Sequence, residues 1–255
     1  MEIFDSHCHL NFEHFDKDRE HIIQQCLKKN ISSILIPSAE KTDWEKIAFL
    51  CNKHRSTLFP AYGLHPVFIE KHAAADLISL DDFVQNHTVY AIGEIGLDFY
   101  IKSLDKEKQL QFFVTQLQIA EKHSLPVILH VRKAHDTVLH ELKASGVSQG
   151  IVHAFNGSLQ QAEKYIEMGF FLGFGGTMTY KNAHRIHRLA ARLPIESIVL
   201  ETDAPDMVVA EHKGKRNSPE YITYSLEALS RIRKQPVETV AKITTNNARR
   251  ILNLD

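Results

Sequence analysis

The stretch EIFDSHCHLNF, residues 2–12, decides between two architectures open to a chain of alternating strands and helices. A doubly wound open sheet normally places a glycine-rich, phosphate-cradling turn directly after its first strand. Here the run 3–7 leads into HCHLNF, with two imidazoles where the glycines would stand. In an extended chain residues i and i+2 share a face, so His7 and His9 project together while Cys8 points the other way. Such a pair is either two half-exposed polar residues or the beginning of a metal site. What the other strands end in decides which.

Seven further short apolar, β-branched runs follow, at 33–36, 58–63, 89–94, 127–130, 151–153, 170–173 and 197–201. Amphipathic stretches separate them. In LDKEKQLQFFVTQLQIAEKHS, Leu110, Phe113, Val114, Leu117 and Ala120 recur with helical period. SLQQAEKYIEMG is a shorter helix that Ser158 can cap and Gly169 can end. Continuous hydrophobic strands, each followed by a helix, imply a parallel sheet covered on its outer face. Eight such units in 255 residues predict an α/β fold of the (β/α)8 TIM-barrel type, one domain over 1–255. The segment 218–253 holds two helices, one more than the eighth unit requires, with Pro236 opening the second.

Composition is that of a globular protein, 44% hydrophobic and 24% charged. A net charge of −1 supplies no global basic field, so any phosphate binding must be local. Three scattered cysteines without C-x-x-C spacing, and an acidic start with no apolar leader, predict a cytoplasmic protein. No run approaches the ~20 apolar residues of a membrane helix, and no obligate protein partner is evident.

Four other strands end in ligand-type residues. Glu94 lies between two glycines in AIGEIGLDF, His130 closes PVILH, His153 follows GIV, and Glu201 and Asp203 follow SIVL. A charged or imidazole group placed straight after a buried run is costly unless paired or coordinated. By contrast His21, His54, His123, His140, His184 and His187 fall on helical or loop stretches and are expected to be solvated. Four histidines with at least two carboxylates exceed the needs of one tetrahedral zinc and suit two divalent ions sharing a carboxylate. Nitrogen-rich ligation favours Zn or Mn, with Mg compatible with an oxygen-richer position.

The motifs DSHCHL, YGLHP, GEIGLDF, PVILHVRKAHD, HAFNGS, ETDAPDM and RNSPE occur in the order found in TatD-type metal-dependent hydrolases, which the chain resembles from residue 3 to about 250. GGTMTY and ETDAPDM are most similar to the YjjV-like branch of that family. The resemblance implies an amidohydrolase-like barrel and a metal-dependent hydrolase, with deoxyribonuclease activity and DNA as substrate. It implies His7, His9, Glu94, His130, His153 and Asp203 as metal ligands, Glu94 being the bridge. Ala154 and Asn156 depart from the family's usual residues, leaving the ligand His153 intact but altering the wall beside it.

On this reading one ion is held by His7, His9, Glu94 and Asp203, the other by Glu94, His130 and His153. Asp203 and Glu94 are the expected catalytic carboxylates, Asp203 taking the proton of the attacking water. His65, Arg132 and Arg216 are the expected substrate-binding residues. Each has an alternative: His65 could orient a ligand, Arg132 could pair with Asp136 or another carboxylate, and the basic loop KGKRNSPE around Arg216 could be solvated. Tyr62, Phe99, Tyr100 and Phe155 follow strand ends and either stack on bases or pack. The competing activity is hydrolysis of a small amide, ester or phosphoester, which the near-zero charge favours.

Overall fold

Strands that are apolar on both faces must be covered on both, and a barrel does this with one layer of helices. The computed structural model describes residues 1–254. Its eight parallel strands lie in chain order: β1 (Ile3–Asp5), β2 (Ile31–Pro37), β3 (Leu58–Tyr62), β4 (Ala91–Asp98), β5 (Val127–Arg132), β6 (Gly150–Val152), β7 (Phe170–Phe174) and β8 (Ile198–Leu200). The helices are α1 (Arg19–Lys28), α2 (Trp44–Lys53), α3 (Ala74–Asn86), α4 (Lys106–Lys122), α5 (His135–Ala144), α6 (Leu159–Glu167), α7 (His184–Arg192), α8 (Ile222–Arg233) and α9 (Val237–Ile251). This is the expected (β/α)8 TIM barrel.

Alternation along the strands sorts the core into two layers. Phe4, Leu35, Phe59, Ala61, Ile128, Ile151 and Val199 pack inside the barrel, joined at its floor by Ala248 and Ile251 of α9 and by Leu252 just after it. The extra C-terminal helix is therefore a plug for the N-terminal end. Aliphatic residues of the opposite parity, such as Ile34, Ile92, Val127 and Leu172, fill the space under the outer helices. Local signals hold as expected at α6, where Ser158 and Gln161 form a reciprocal capping box and Gly169 leaves the helix at φ +85°. All three cysteines are buried and free. No helix among the described residues is long and apolar enough to cross a membrane.

The seam between β8 and β1 is held by a few bonds. Ser6 N–H donates to Leu200 O at 3.0 Å, Asp203 N–H to His7 O at 2.8 Å, and His9 N–H to Ala204 O at 2.8 Å. Asp5, fully buried, accepts from the Thr202 backbone N–H at 2.9 Å and its hydroxyl at 2.6 Å. Asp5→Ala orphans both donors in a dry seam, at ~1–3 kcal/mol each. Urea unfolding of the metal-free protein is expected to show about 2–5 kcal/mol less stability. A loss well under 1 kcal/mol would mean that backbone bonds alone close the barrel.

Candidate metal centre

Glu94 reaches the mouth of the barrel because β4 is irregular there. Ile92 pairs with Val127 and Ile95 with Leu129, so one residue too many lies between them on β4. A bulge of this kind re-aims a side chain. Glycine flanks it of necessity. A Cβ on Gly93 would meet the Ile128 Cβ at 2.6 Å, while Gly96 adopts φ +136° and any Cβ there would collide with the His130 carbonyl oxygen. The Glu94 N–H donates to Ser38 O at 3.0 Å, fixing the residue against β2.

The two carboxylate oxygens of Glu94 face different partners. Oε2 lies 3.1 Å from His7 Nε2 and 3.4 Å from His9 Nε2. The same two imidazole nitrogens stand 3.2 Å from each other and 3.5 and 3.7 Å from Asp203 Oδ1. Oε1 lies 3.2 Å from His130 Nδ1, 3.6 Å from His153 Nε2 and 3.1 Å from His65 Nε2. Donors bound tetrahedrally at ~2.0–2.2 Å are spaced ~3.3–3.6 Å apart, so the cage has the dimensions of a coordination shell. Glu94 Oε2 is buried and receives no hydrogen bond among the described residues. An orphaned carboxylate oxygen against two imidazole nitrogens is a site that fits a divalent cation.

Hydrogen bonding decides which nitrogen is free on His130 and on His65. His130 stands with Nε2 3.1 Å from the buried Asp98 Oδ2, so its Nε2–H donates there and Nδ1 keeps a lone pair toward Glu94. His153 Nδ1 lies 3.3 Å from Glu201 Oε1, leaving Nε2 toward the cage. His65 is different. Its Nδ1 accepts from Val67 N–H at 3.1 Å, so a neutral ring carries its proton on Nε2 and donates to Glu94. That supports the orienting role for His65 over ligation.

The electrostatics follow from burial among opposite charges. Burial alone would raise the Glu94 carboxyl, but His65, His7 and His153 outweigh it and hold it well below the usual range. Burial pushes Asp203 up to about 6. Burial also opposes charge on His153, yet Glu201, Asp203 and Glu94 together raise it to about 10. His65 falls to about 4 through burial.

His7 and His9 converge although β1 ends at Asp5: they sit on the turn after the strand, not in its ladder. Asp203, two residues beyond Glu201, takes the left-handed conformation at φ +56° and stands by His7 and His9. Glu201 serves His153 and accepts from Ala154 N–H at 2.7 Å. Its space exists because residue 173 is glycine: a Cβ there would collide with Glu201 Oε2. Glu201 and Asp98 thus support ligand-type histidines that sequence reasoning finds without them. GEIGLDF does carry a signal for Asp98, two and four residues beyond Gly96 and Glu94 on one face. Glu201→Gln leaves the cage atoms in place but weakens the orientation of His153. It is expected to lower metal affinity about 10–100-fold, read by competition with a chelating dye, and an unchanged affinity would remove Glu201 from the site.

A cleft of about 980 Å³ opens beside the cage, lined by His130, His153, Asp203, Arg132, His135 and Asn156 among others. Arg132 is half-exposed, its guanidinium 3.8 Å from the Tyr100 ring centroid and 3.9 Å from Asp98 rather than on Asp136. Arg216 lies outside the cleft lining: Asp18 holds it bidentately at 2.6 and 3.1 Å over the Phe15 ring. Tyr62 and Phe155 are core, Phe99 is half-buried, and Tyr100 is exposed. Nothing in the sequence pattern marks His135, which is buried, 3.3 Å from both Asn156 Oδ1 and Tyr165 Oη.

A barrel whose strand ends converge on such a cage has the form of a metal-dependent hydrolase. The chain belongs to the TatD-related DNase family, whose model matches residues 4–253. It is 36% identical over 253 residues to the metal-dependent hydrolase YjjV of Escherichia coli K12, covering 98% of this chain and 97% of that one. A metal-dependent hydrolase of Haemophilus influenzae Rd is also 36% identical, over 99% of this chain and all of the relative. Both relatives are described as uncharacterized. The crystal structure of E. coli YjjV, a TatD homolog, superposes with a TM-score of 0.95 at 35% identity, covering 99% of this chain and 98% of that one.

Proposed function

We propose that the protein is a two-metal phosphodiesterase that cleaves DNA. The observation that carries this reading is the division of labour at Glu94, with Oε2 toward His7 and His9 and Oε1 toward His130 and His153. One ion would be held by His7, His9, Glu94 and Asp203, the other by Glu94, His130 and His153, with Zn, Mn or Mg as the candidates. Such ions, when bound, acidify water and stabilise charge on phosphate oxygens.

The chain's own residues do the rest. Glu94 is buried and fixed, with His65 donating to it. Asp203 lines the cleft and keeps part of its side chain exposed, so it can meet the attacking water. As the water oxygen forms its bond to phosphorus, its proton passes to the Asp203 carboxylate, the P–O ester bond breaks, and the proton held by Asp203 is returned through solvent to the departing alkoxide. Arg132, which lines the cleft with its planar guanidinium stacked on Tyr100, is placed to grip a non-bridging phosphate oxygen. No substrate role is assigned to Arg216, whose fork is already taken by Asp18.

The test is hydrolysis of 3′-end-labelled single-stranded DNA by purified protein with Mg²⁺, Mn²⁺ or Zn²⁺, beside Asp203→Asn. Metal-dependent cleavage abolished in the variant is expected. Metal-loaded protein that leaves DNA intact would overturn the reading in favour of a small ester, amide or phosphoester.

A further inference from the structure

Near the cleft, the segment KNAHRIHRLAAR, residues 181–192, contains no acidic residue. Its helix α7 buries Leu189 and Ala190 against the barrel. Arg185, Arg188 and Arg192, all exposed, follow one another at spacings of three and four, which places them in a single stripe on the outer face of α7, and exposed Lys181 lies in the turn just before the helix. None of the four pairs with a carboxylate among the described residues, whereas other arginines do: Arg216 with Asp18, Arg231 with Glu227, Arg249 with Glu2.

The stripe is continuous with the site. α7 follows β7 and so starts at the mouth, and Arg185 lines the same cleft as Arg132 and Lys133. Away from α7 the charges are paired instead: in the loops after β1 and β2, Asp16 meets Arg19 and Lys46, Asp18 meets Arg216, and Glu40 meets Lys71. A protein of net charge −1 thus presents a strongly cationic sector on one side of its cleft. Four exposed cations along this segment with no counter-charge repel one another, and a polyanion laid along them relieves that repulsion.

We propose that this stripe is a track for the sugar–phosphate backbone of a single nucleic-acid strand whose scissile phosphate lies at the cage. The inference rests on the phosphodiesterase reading and deepens it: the preferred substrate extends several nucleotides past the cleft on the α7 side. From Arg185 to Arg192 the helix rises about 10 Å, room for about two successive phosphates of an extended strand. The low net charge, which points toward small substrates, is then reconciled with DNA by the segregation of charge.

The variant is Arg188→Gln/Arg192→Gln, both positions exposed and outside the cleft lining. Its control is Lys46→Gln/Lys53→Gln on α2, where the charges are paired. Circular dichroism and metal content establish that each is folded. Binding of fluorescein-labelled strands of 4 and 12 nucleotides is followed by anisotropy between 50 and 200 mM NaCl, in parallel with cleavage. For the 12-mer the α7 variant is expected to bind about five- to tenfold more weakly. Its salt dependence is expected to flatten by about 1.4 in log Kd against log salt, 0.7 for each phosphate that is no longer neutralised. The 4-mer and the control variant should be unaffected. Wild-type protein that cleaves DNA but binds both lengths alike, or an α7 variant with an unchanged 12-mer affinity, overturns the track and leaves the nuclease reading standing. Wild-type binding sensitive to α7 without cleavage supports the track and sinks the nuclease chemistry. Neither binding nor cleavage sinks both.

Discussion

Glu94→Gln is expected to remove at least one bound divalent ion and to lower turnover on a phosphodiester by about 10³-fold or more, a barrier increase of ~4 kcal/mol. The substitution is nearly isosteric. The residue's N–H still donates to Ser38 O, and the bulge that aims the side chain lies in the backbone, so position is retained. What changes is the donor count. An amide has one oxygen with lone pairs to give and one NH₂ that gives none. Whichever way it turns, either the His7/His9 face or the His130/His153 face then meets a nitrogen instead of a carboxylate oxygen. The cage also loses the negative charge that offsets its imidazoles. Metal content by elemental analysis, with initial rates under saturating Mn²⁺, reads both effects. A variant that retains both ions and works within a factor of ten of wild type would show that Glu94 does not bridge.

The strands that carry this cage are legible in the sequence because each is a continuous aliphatic run, and burial on both sides leaves no other partner than a parallel neighbour. Their ends are less so, since a charged residue reads as the close of a strand. β4 in fact runs on through Glu94 to Asp98, because carboxylates facing the inside of the mouth can stay within the ladder. β1 and β8 err the other way: they stop short of His7 and Glu201, which ride on the turns beyond.

Polar burial is the second blind spot. Periodicity along α4 assigns Leu110 and Val114 to the core, yet both are only half-buried, while Gln109 and Gln116 are fully buried. Their amides satisfy backbone groups at strand ends: Gln109 takes Asp98 N–H and gives to Asp98 O, and Gln116 does the same for Leu64. No hydrophobicity pattern carries that information. At RNSPE, too, a buried amide ties backbone groups together. The Ser218 hydroxyl has no hydrogen bond among the described residues, and Asn217 ties Thr202 O and Asp206 O together beside it. The ligand-type residues are easier to find than their supports, because ligands interrupt apolar runs and supports lie beyond them. The cations of α7 are visible as letters but not as a stripe beside the cleft, a relation that exists only once the barrel closes.

The second large effect belongs to Asp203. Asp203→Asn is expected to keep the fold and near-normal metal content at saturating metal, while kcat for DNA falls by about 10²–10⁴-fold, the range for loss of a positioned proton acceptor. Three features make this a clean substitution. Asparagine tolerates the left-handed backbone at φ +56° as well as aspartate does. The turn is anchored by the main chain, Asp203 N–H to His7 O and Asp206 N–H to Asp203 O, which the side-chain change leaves alone. The amide oxygen can still occupy the place of Oδ1, 3.5 and 3.7 Å from the His7 and His9 nitrogens. What is gone is one negative charge, whose effect on metal binding saturating metal offsets, and the ability to take up a proton. KM should therefore hold while kcat collapses and stays low as metal is added, whereas depleted sites lower activity in proportion to the missing ion and recover when metal is added. If Asp203→Asn turns over normally with metal saturated, the proton goes elsewhere, and Glu201 is the wrong heir because it is buried behind His153. The acceptor would then have to be a phosphate oxygen of the substrate, making the cage a template for substrate-assisted attack.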